Sequence, residues 1–321
     1  MRWDALSLVE VSPTRPRVAR GAVRRIVGGA TVYERRARSA LEAVPPVTGL
    51  PYRWAVNPYR GCAAACRYCP ARQGHRYLGL DPGEDFGRVI VARTDVARRL
   101  RDQLASPRWR GAPVAIGVTG DCYQPVEEAY RLMPGLLAAL RDAGNAFTVL
   151  TKSPLVLRDA ALLAQAGRHA RVRVAVSVGF VDDRVRRAVE PGAVSPQKRL
   201  ELCAALTEAG VACEVLLAPV LPGLTDSDDQ LRAAVRRAAQ AGAVAVTPVV
   251  LALPPGAQEW YLAWLEQEHP HLAGRYRELY GATGQAPEGY RRRIAAQVAA
   301  LAALYGIGYG GAGGPEPAAV P

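Results

Sequence analysis

Three cysteines set the chemistry that this chain can do. They stand in Asn57-Pro58-Tyr59-Arg60-Gly61-Cys62-Ala63-Ala64-Ala65-Cys66-Arg67-Tyr68-Cys69, spaced C-x3-C-x2-C, and they are half of the chain's 6 cysteines. Three thiolates from one short loop can surround a single metal centre, whereas a disulfide would strand the third. Soft sulfur donors of this kind suit an iron–sulfur cluster or zinc. Structural zinc needs four protein ligands, and His75, six residues beyond Cys69, is the residue that would complete such a site. A [4Fe–4S] cluster on three thiolates instead keeps one iron open to a substrate or cofactor. Cys122, Cys203 and Cys213 lie far along the chain and apart from one another. The spacing favours the cluster over zinc.

The elements that must position this loop alternate. Apolar, β-branched runs at Trp54–Asn57, Val114–Thr119, Phe147–Thr151, Val172–Val178, Val211–Ala218 and Val244–Leu251 read as strands. Between them Thr94–Leu104, Tyr130–Ala143, Leu155–Ala166, Pro196–Ala209 and Gln230–Ala241 carry helical spacing, and the last four stop at Gly144, Gly167, Gly210 and Gly242. Such βα units build a parallel sheet. The expected fold is α/β, a six-strand partial barrel, with a doubly wound open sheet as the alternative. The cysteine loop follows the first strand, and Asp121, Lys152, Ser153 and Ser177 fall at later strand ends. In barrel-like α/β folds that face is the functional one. No Gly-x-Gly-x-x-Gly follows a strand, so a dinucleotide site has no support.

The chain divides, on this reading, into an arginine-rich arm over 1–50, a barrel over 51–255, a helical extension over 256–305 and a disordered tail over 306–321. Residues 1–50 read as irregular, a solvated arm with a phosphate-contacting arm as the sharper alternative. Trp260, Tyr261, Trp264, Tyr276, Tyr280, Tyr290 and Tyr305 mark the extension, read as core rather than as a base-stacking platform. The net charge of +12 is almost wholly arginine, since Lys152 and Lys198 are the only lysines. This composition discounts the charge as a functional sign, while nucleic acid stays a partner that the charge would suit. The longest uncharged run, Ala241 to Gln258, is broken by Pro248, Pro254 and Pro255, and no signal peptide opens the chain. A soluble, cytoplasmic protein without membrane contact is expected. In that compartment a cysteine cluster binds metal or catalyses rather than forming disulfides.

Cys62-x3-Cys66-x2-Cys69, with Tyr68 before the last cysteine, resembles the signature of the radical SAM superfamily. More narrowly the chain resembles its spore photoproduct lyase-like branch, through Asn57–Cys62, Tyr68–Arg72, Asp121–Glu127, Leu150–Pro154, Glu190–Gly192 and Ala218–Gly223, over about residues 33 to 280. The resemblance implies a partial (β/α)6 barrel and a [4Fe–4S] cluster on Cys62, Cys66 and Cys69. The open iron would bind S-adenosylmethionine, and reductive cleavage would give a 5′-deoxyadenosyl radical that takes hydrogen from an unknown substrate. A reductant such as a flavodoxin or ferredoxin would supply the electron.

The same resemblance assigns cofactor contacts to Tyr68, Asp121, Tyr123, Gln124, Lys152 and Ser177. Tyr68 would shield the cluster, and Lys152 would meet the methionine carboxylate. Arg187 and Glu190 are read as a helix-surface ion pair, with a cofactor role for Glu190 as the alternative that the match at Glu190-Pro191 keeps open. Spore photoproduct lyases carry a hydrogen-donor cysteine just before a Thr-x-Asp sequence. Here that place is Val118, so repair of DNA photoproducts is not expected, and Cys122 is the alternative donor. The competing function is a zinc-loop protein that binds nucleic acid without catalysis, completed by His75.

Overall fold

The computed structural model describes residue 18 and residues 22–44 and 52–310. Its strands are β1 (Val23–Val27), β2 (Ala30–Arg35), β3 (Leu41–Ala43), β4 (Trp54–Val56), β5 (Tyr59–Arg60), β6 (Val89–Arg93), β7 (Val114–Ile116), β8 (Phe147–Thr151), β9 (Val172–Ser177), β10 (Cys213–Val220), β11 (Ala245–Val250) and β12 (Gly308–Tyr309). Its helices are α1 (Gln73–Tyr77), α2 (Val96–Leu104), α3 (Val126–Tyr130), α4 (Leu132–Asp142), α5 (Ala160–Gly167), α6 (Asp183–Val189), α7 (Pro196–Glu208), α8 (Asp228–Gln240), α9 (Ala257–Glu268), α10 (Pro270–Tyr280) and α11 (Glu288–Leu304).

The main sheet runs β12-β11-β10-β9-β8-β7-β4-β3. Every neighbouring pair in it is parallel except β3 with β4. The sheet ends on β3 and β12 and does not close on itself, so the α/β fold is an open partial barrel. The six anticipated strands are β4, β7, β8, β9, β10 and β11. Their β-branched residues fit burial on both faces, which a parallel sheet covered by helices imposes: Val114, Ala115 and Ile116 of β7 are all buried. Capping supports the helices locally. Ser227 and Gln230 form a reciprocal capping box at α8, and Ser195 caps α7 just before Pro196.

Register sets neighbouring strand ends side by side, stepped along the sheet. Val56 pairs with Ile116, Ile116 with Val149, Thr151 with Val176, and Ser177 with Leu216. The segments that follow these positions therefore meet on one rim. Leu136, Leu140, Leu163, Val174, Leu206 and Val215 belong to the core beneath that rim. A second apolar cluster joins Cys62, Cys66 and Tyr68 to Phe180, Leu221, Leu253, Tyr261, Trp264 and Tyr276, so the aromatic residues of α9 and α10 pack beside the cysteine loop.

Several expectations change. The stretch read as irregular contains β1 and β2, an antiparallel hairpin that pairs with β6, and β5 completes this second sheet. It also contains β3 on the edge of the main sheet. The adjacent Arg24 and Arg25 of β1 hid this hairpin, because their side chains are exposed while the backbone pairs. Residues 1–17, 19–21 and 45–51 of that stretch lie outside the described residues. Gly308–Tyr309, assigned to the tail by its glycines, is a strand parallel to β11, and residues 311–321 lie outside the described part. Among the described residues no helix is long and apolar enough to cross a membrane.

Candidate active site

The cysteine loop lies between β5 and a short 3-10 turn, Pro70–Arg72, that leads into α1. Neighbouring backbone presses on it from two sides. A Cβ on Gly192 would stand 2.0 Å from the carbonyl oxygen of Ala63, and one on Gly120 would stand 2.9 Å from that of Gly61. Only glycine allows either approach. The small Ala63, Ala64 and Ala65 complete the tight wrap. Ala65 itself takes a left-handed conformation, φ 51°, which costs strain in a residue with a side chain.

Polar side chains then fix the loop. Gln124 spans it: Nε2 donates to the Gly61 carbonyl at 3.1 Å, and Oε1 accepts from the Ala63 N–H at 3.0 Å. Arg72 lies buried beneath, donating to the carbonyls of Cys66 (2.9 Å) and Ala65 (2.7 Å), with Phe86 and Trp260 against its guanidinium. The Arg67 N–H donates to Val189, and the Gly192 N–H donates to Ala64. The loop is thereby joined to the turn that carries Glu190.

Cys62, Cys66 and Cys69 influence one another's ionisation, and the Asp121 N–H donates to Cys62 Sγ at 3.3 Å. Burial, and then Asp121, pushes the Cys62 thiol up to about 12, and burial also raises Cys66 and Cys69. Bare thiols here stay neutral at pH 7. A cationic metal centre deprotonates coordinating thiols outright and offsets the burial of their charge, so the donor set fits an iron–sulfur cluster. Zinc fits less well. Three thiolates on one tetrahedral zinc at bonds of ~2.3 Å stand within about 4 Å of each other. Among the described residues no three His, Cys, Asp or Glu side chains are gathered to hold a single ion. His75 is not a fourth ligand. It sits in α1 rather than in a loop, with Nε2 3.0 Å from the Val89 carbonyl and its ring edge-on to Phe86.

Strand ends supply the remaining candidates. Asp121 uses both carboxylate oxygens within the protein: Oδ1 accepts from Thr151 Oγ1 (2.7 Å) and the Tyr123 N–H (2.9 Å), and Oδ2 accepts from the Lys152 N–H (2.7 Å). Tyr123 packs in the core, and its hydroxyl donates to Asp159 at 2.9 Å. Ser177 donates to the Ala218 carbonyl at 2.9 Å. Cys122 is 0% exposed, with Sγ 3.6 Å from the Leu150 carbonyl. Lys152 places Nζ 3.7 Å from Glu190, and Tyr68 donates its hydroxyl to the same carboxylate.

Glu190 is the main correction. It makes no surface pair with Arg187, which binds Asp183 at 2.9 Å instead. Glu190 and Arg199 are both 0% exposed and form a buried ion pair, and Arg199 also donates to the Ser177 carbonyl at 3.1 Å. Burial would raise the Glu190 carboxyl, yet Lys152 and Arg199 outweigh it and hold the carboxyl below its ordinary range. Burial would likewise lower Lys152, but Glu190 and Cys66 hold it above the ordinary lysine range. Glu190 thus connects Tyr68, Lys152 and Arg199, on elements far apart in sequence. Arg199 left no trace in the sequence, because one arginine on an amphipathic helix reads as solvated. Arg72 stood in a motif without an assigned role.

The Radical SAM superfamily profile matches residues 56–235, more than half of the chain. The chain belongs to the radical SAM superfamily. It is an enzyme of the radical SAM class. An uncharacterised protein of Mycobacterium tuberculosis (strain ATCC 25618 / H37Rv) is 44% identical over 277 residues, covering 86% of this chain and 82% of that one. A radical SAM Nalpha-GlyT isomerase of Pseudomonas phage M6 is 24% identical over 216 residues, covering 67% of this chain and 42% of that one. Among solved structures, a spore photoproduct lyase variant with bound AdoMet and dinucleoside spore photoproduct superposes with a TM-score of 0.63 at 14% identity, covering 87% of this chain and 80% of that one. At that identity the likeness shows the fold.

Proposed function

We propose that this radical SAM enzyme holds a [4Fe–4S] cluster on Cys62, Cys66 and Cys69, with S-adenosylmethionine on the open iron. When bound, that pair supplies reductive cleavage of the sulfonium and a 5′-deoxyadenosyl radical able to take hydrogen from a substrate. The observation that carries this reading is the loop itself: two buried thiols and a half-buried third within eight residues, on a loop that follows the first strand of the parallel series.

The chain's own residues then have definable tasks. Gln124 and Arg72 fix the loop backbone through its carbonyls and N–H groups, so the thiols are held in place before any metal arrives. Asp121 ties three strand-end groups together and positions Lys152 and the Cys62 sulfur. Lys152, paired at 3.7 Å with a carboxylate and partly exposed on its side chain, offers a cation to the carboxylate of an amino-acid cofactor. Glu190 keeps that cation charged and, through Tyr68, closes the space behind Cys66 and Cys69 to water. The Ser177 hydroxyl retains acceptor capacity for a ribose. Cys122 is sealed in the core and does not serve as hydrogen donor in this conformation. An external one-electron reductant protein is required.

Substrate class is less constrained. Val118 in place of the lyase cysteine argues against photoproduct repair. The phage relative is named a Nalpha-GlyT isomerase, and the structural neighbour holds a dinucleoside spore photoproduct, so a nucleic-acid substrate has a related precedent.

Anaerobic reconstitution with iron and sulfide tests the proposal. About four iron and four sulfide per chain are expected, with 5′-deoxyadenosine formed from S-adenosylmethionine and dithionite. Cys62→Ala, Cys66→Ala and Cys69→Ala should each lose the cluster. A colourless protein carrying one zinc, with no cofactor cleavage, would overturn it.

A further inference from the structure

A cavity of about 570 Å³ opens between the second sheet and the β3 edge of the main sheet, and none of the cysteines lines it. Five of its twelve lining residues are arginines: Arg35, Arg36, Arg38, Arg60 and Arg93. Arginine makes up only 39 of the 321 residues, so the overall bias does not account for this concentration. One acid faces them. Glu42 accepts from Arg60 at 2.5 Å, Arg93 at 3.0 Å and Asn57 Nδ2 at 3.0 Å, so two guanidiniums share a single carboxylate that has little capacity left. Among the described residues no carboxylate pairs with Arg35, Arg36 or Arg38, and Arg36 and Arg38 are exposed.

The inner wall is rigid. Arg93 is 7% exposed and donates to the carbonyls of Asn57 and Ser39, and Arg60 donates to Thr119 Oγ1 at 3.0 Å. Tyr77 also lines the cavity and is 54% exposed. A fixed excess of planar guanidiniums beside an exposed ring suits oxyanions bound bidentately, phosphate above all, with a base or sugar against the ring.

We propose that this cavity binds a phosphate ester, with Arg36 and Arg38 as the outer contacts, Arg60 and Arg93 as the inner wall and Tyr77 as the stacking surface. The site is separate from the cysteine rim and does not depend on the cluster reading. Its phosphate would come from a nucleic-acid strand or from a free nucleotide or pyrophosphate. Arg60 of β5, two residues before Cys62, joins this cavity to the segment that leads into the cysteine loop.

The test is equilibrium binding to the full chain, with pyrophosphate, a mononucleotide and a short fluorescent single-stranded oligonucleotide as probes. Arg36→Ala with Arg38→Ala should weaken the probe that binds at least tenfold. For the oligonucleotide it should also reduce the slope of log affinity against log salt by about 1.4, two contacts at ~0.7 each. Arg236→Ala with Arg237→Ala, exposed on α8, is the charge control and should leave affinity unchanged. Tyr77→Ala should weaken the nucleotide and oligonucleotide but not pyrophosphate. Binding of pyrophosphate with these losses assigns a free-phosphate source, and binding of the oligonucleotide alone assigns a strand. Equal loss in the control pair, no loss in the Arg36/Arg38 pair, or no binding of any probe overturns the proposal. Circular dichroism of each variant confirms that the fold persists.

Discussion

At the scale of residues, the buried pair of Glu190 and Arg199 is the point of greatest leverage. Both side chains are fully buried, so removing one charge leaves the other without compensation at about 3–5 kcal/mol. Glu190→Gln should therefore lower the urea midpoint sharply, and Glu190→Gln with Arg199→Met should recover part of the loss. Equal midpoints for wild type and Glu190→Gln would show that the pair does not carry that weight. Gln124 acts by geometry rather than charge. Gln124→Ala leaves a loop carbonyl and an N–H without partners, about 1–3 kcal/mol in total. We expect a folded protein whose reconstituted cluster bleaches faster in air than that of wild type, read at visible wavelengths.

At the scale of elements, the turn after α6 and the connection from β2 to β3 each contain a small feature whose removal can be read. Gly192→Ala would put a methyl 2.0 Å from the Ala63 carbonyl, so the turn must withdraw from the loop. Iron incorporation should fall severely in that variant while the far-ultraviolet circular dichroism stays native. The β2–β3 connection depends on Asp95, whose Oδ1 accepts from the Ala37 N–H at 2.6 Å. Burial would raise this carboxyl, but the Ala37 N–H, Arg98 and Arg99 outweigh it and hold its value below the ordinary aspartate range. The stability it contributes is then present above the ordinary range and is lost as pH falls through the depressed folded value. Asp95→Asn should be less stable than wild type at pH 7, and the difference should close as pH drops below about 4. A difference that persists unchanged in acid would assign the effect to packing instead.

At the scale of the whole molecule, the open sheet has edges to manage. β12 lies on one of them, and α11 packs against both β11 and β12. Ending the chain after Pro287 removes both elements and bares the edge of β11. The truncated protein should aggregate on expression, as seen by its soluble yield and elution volume. A monomeric, soluble truncation would mean that the barrel supports itself. On the other side β3 narrows the edge beside β4, and the second sheet lines the arginine cavity. The C-terminal helices contribute Tyr261, Trp264 and Tyr276 to the cluster that includes the cysteine loop, so they shield the site as well as extend the chain.

The sequence by itself determined the six parallel strands, most of their helices and the three thiols. Each of these is written locally, in a period of apolar residues, a glycine stop or a spacing within one loop. The hairpin of β1 and β2 was hidden because strand pairing is a backbone property, and arginine side chains mask it. Only the tertiary structure decided which polar groups meet. Glu190 reads as one end of a helix-surface pair three residues from Arg187, yet its partners are Lys152 on the β8 end and Arg199 on α7. Gln124 reads as a cofactor contact and Arg72 as a motif member without a role, and the fold turned both inward onto the loop backbone. Such pairings depend on neighbouring strand ends and close backbone approach, which no sequence spacing encodes. The cysteine spacing thus carries the proposal of a metal centre, and the packing of distant elements decides how the loop is held.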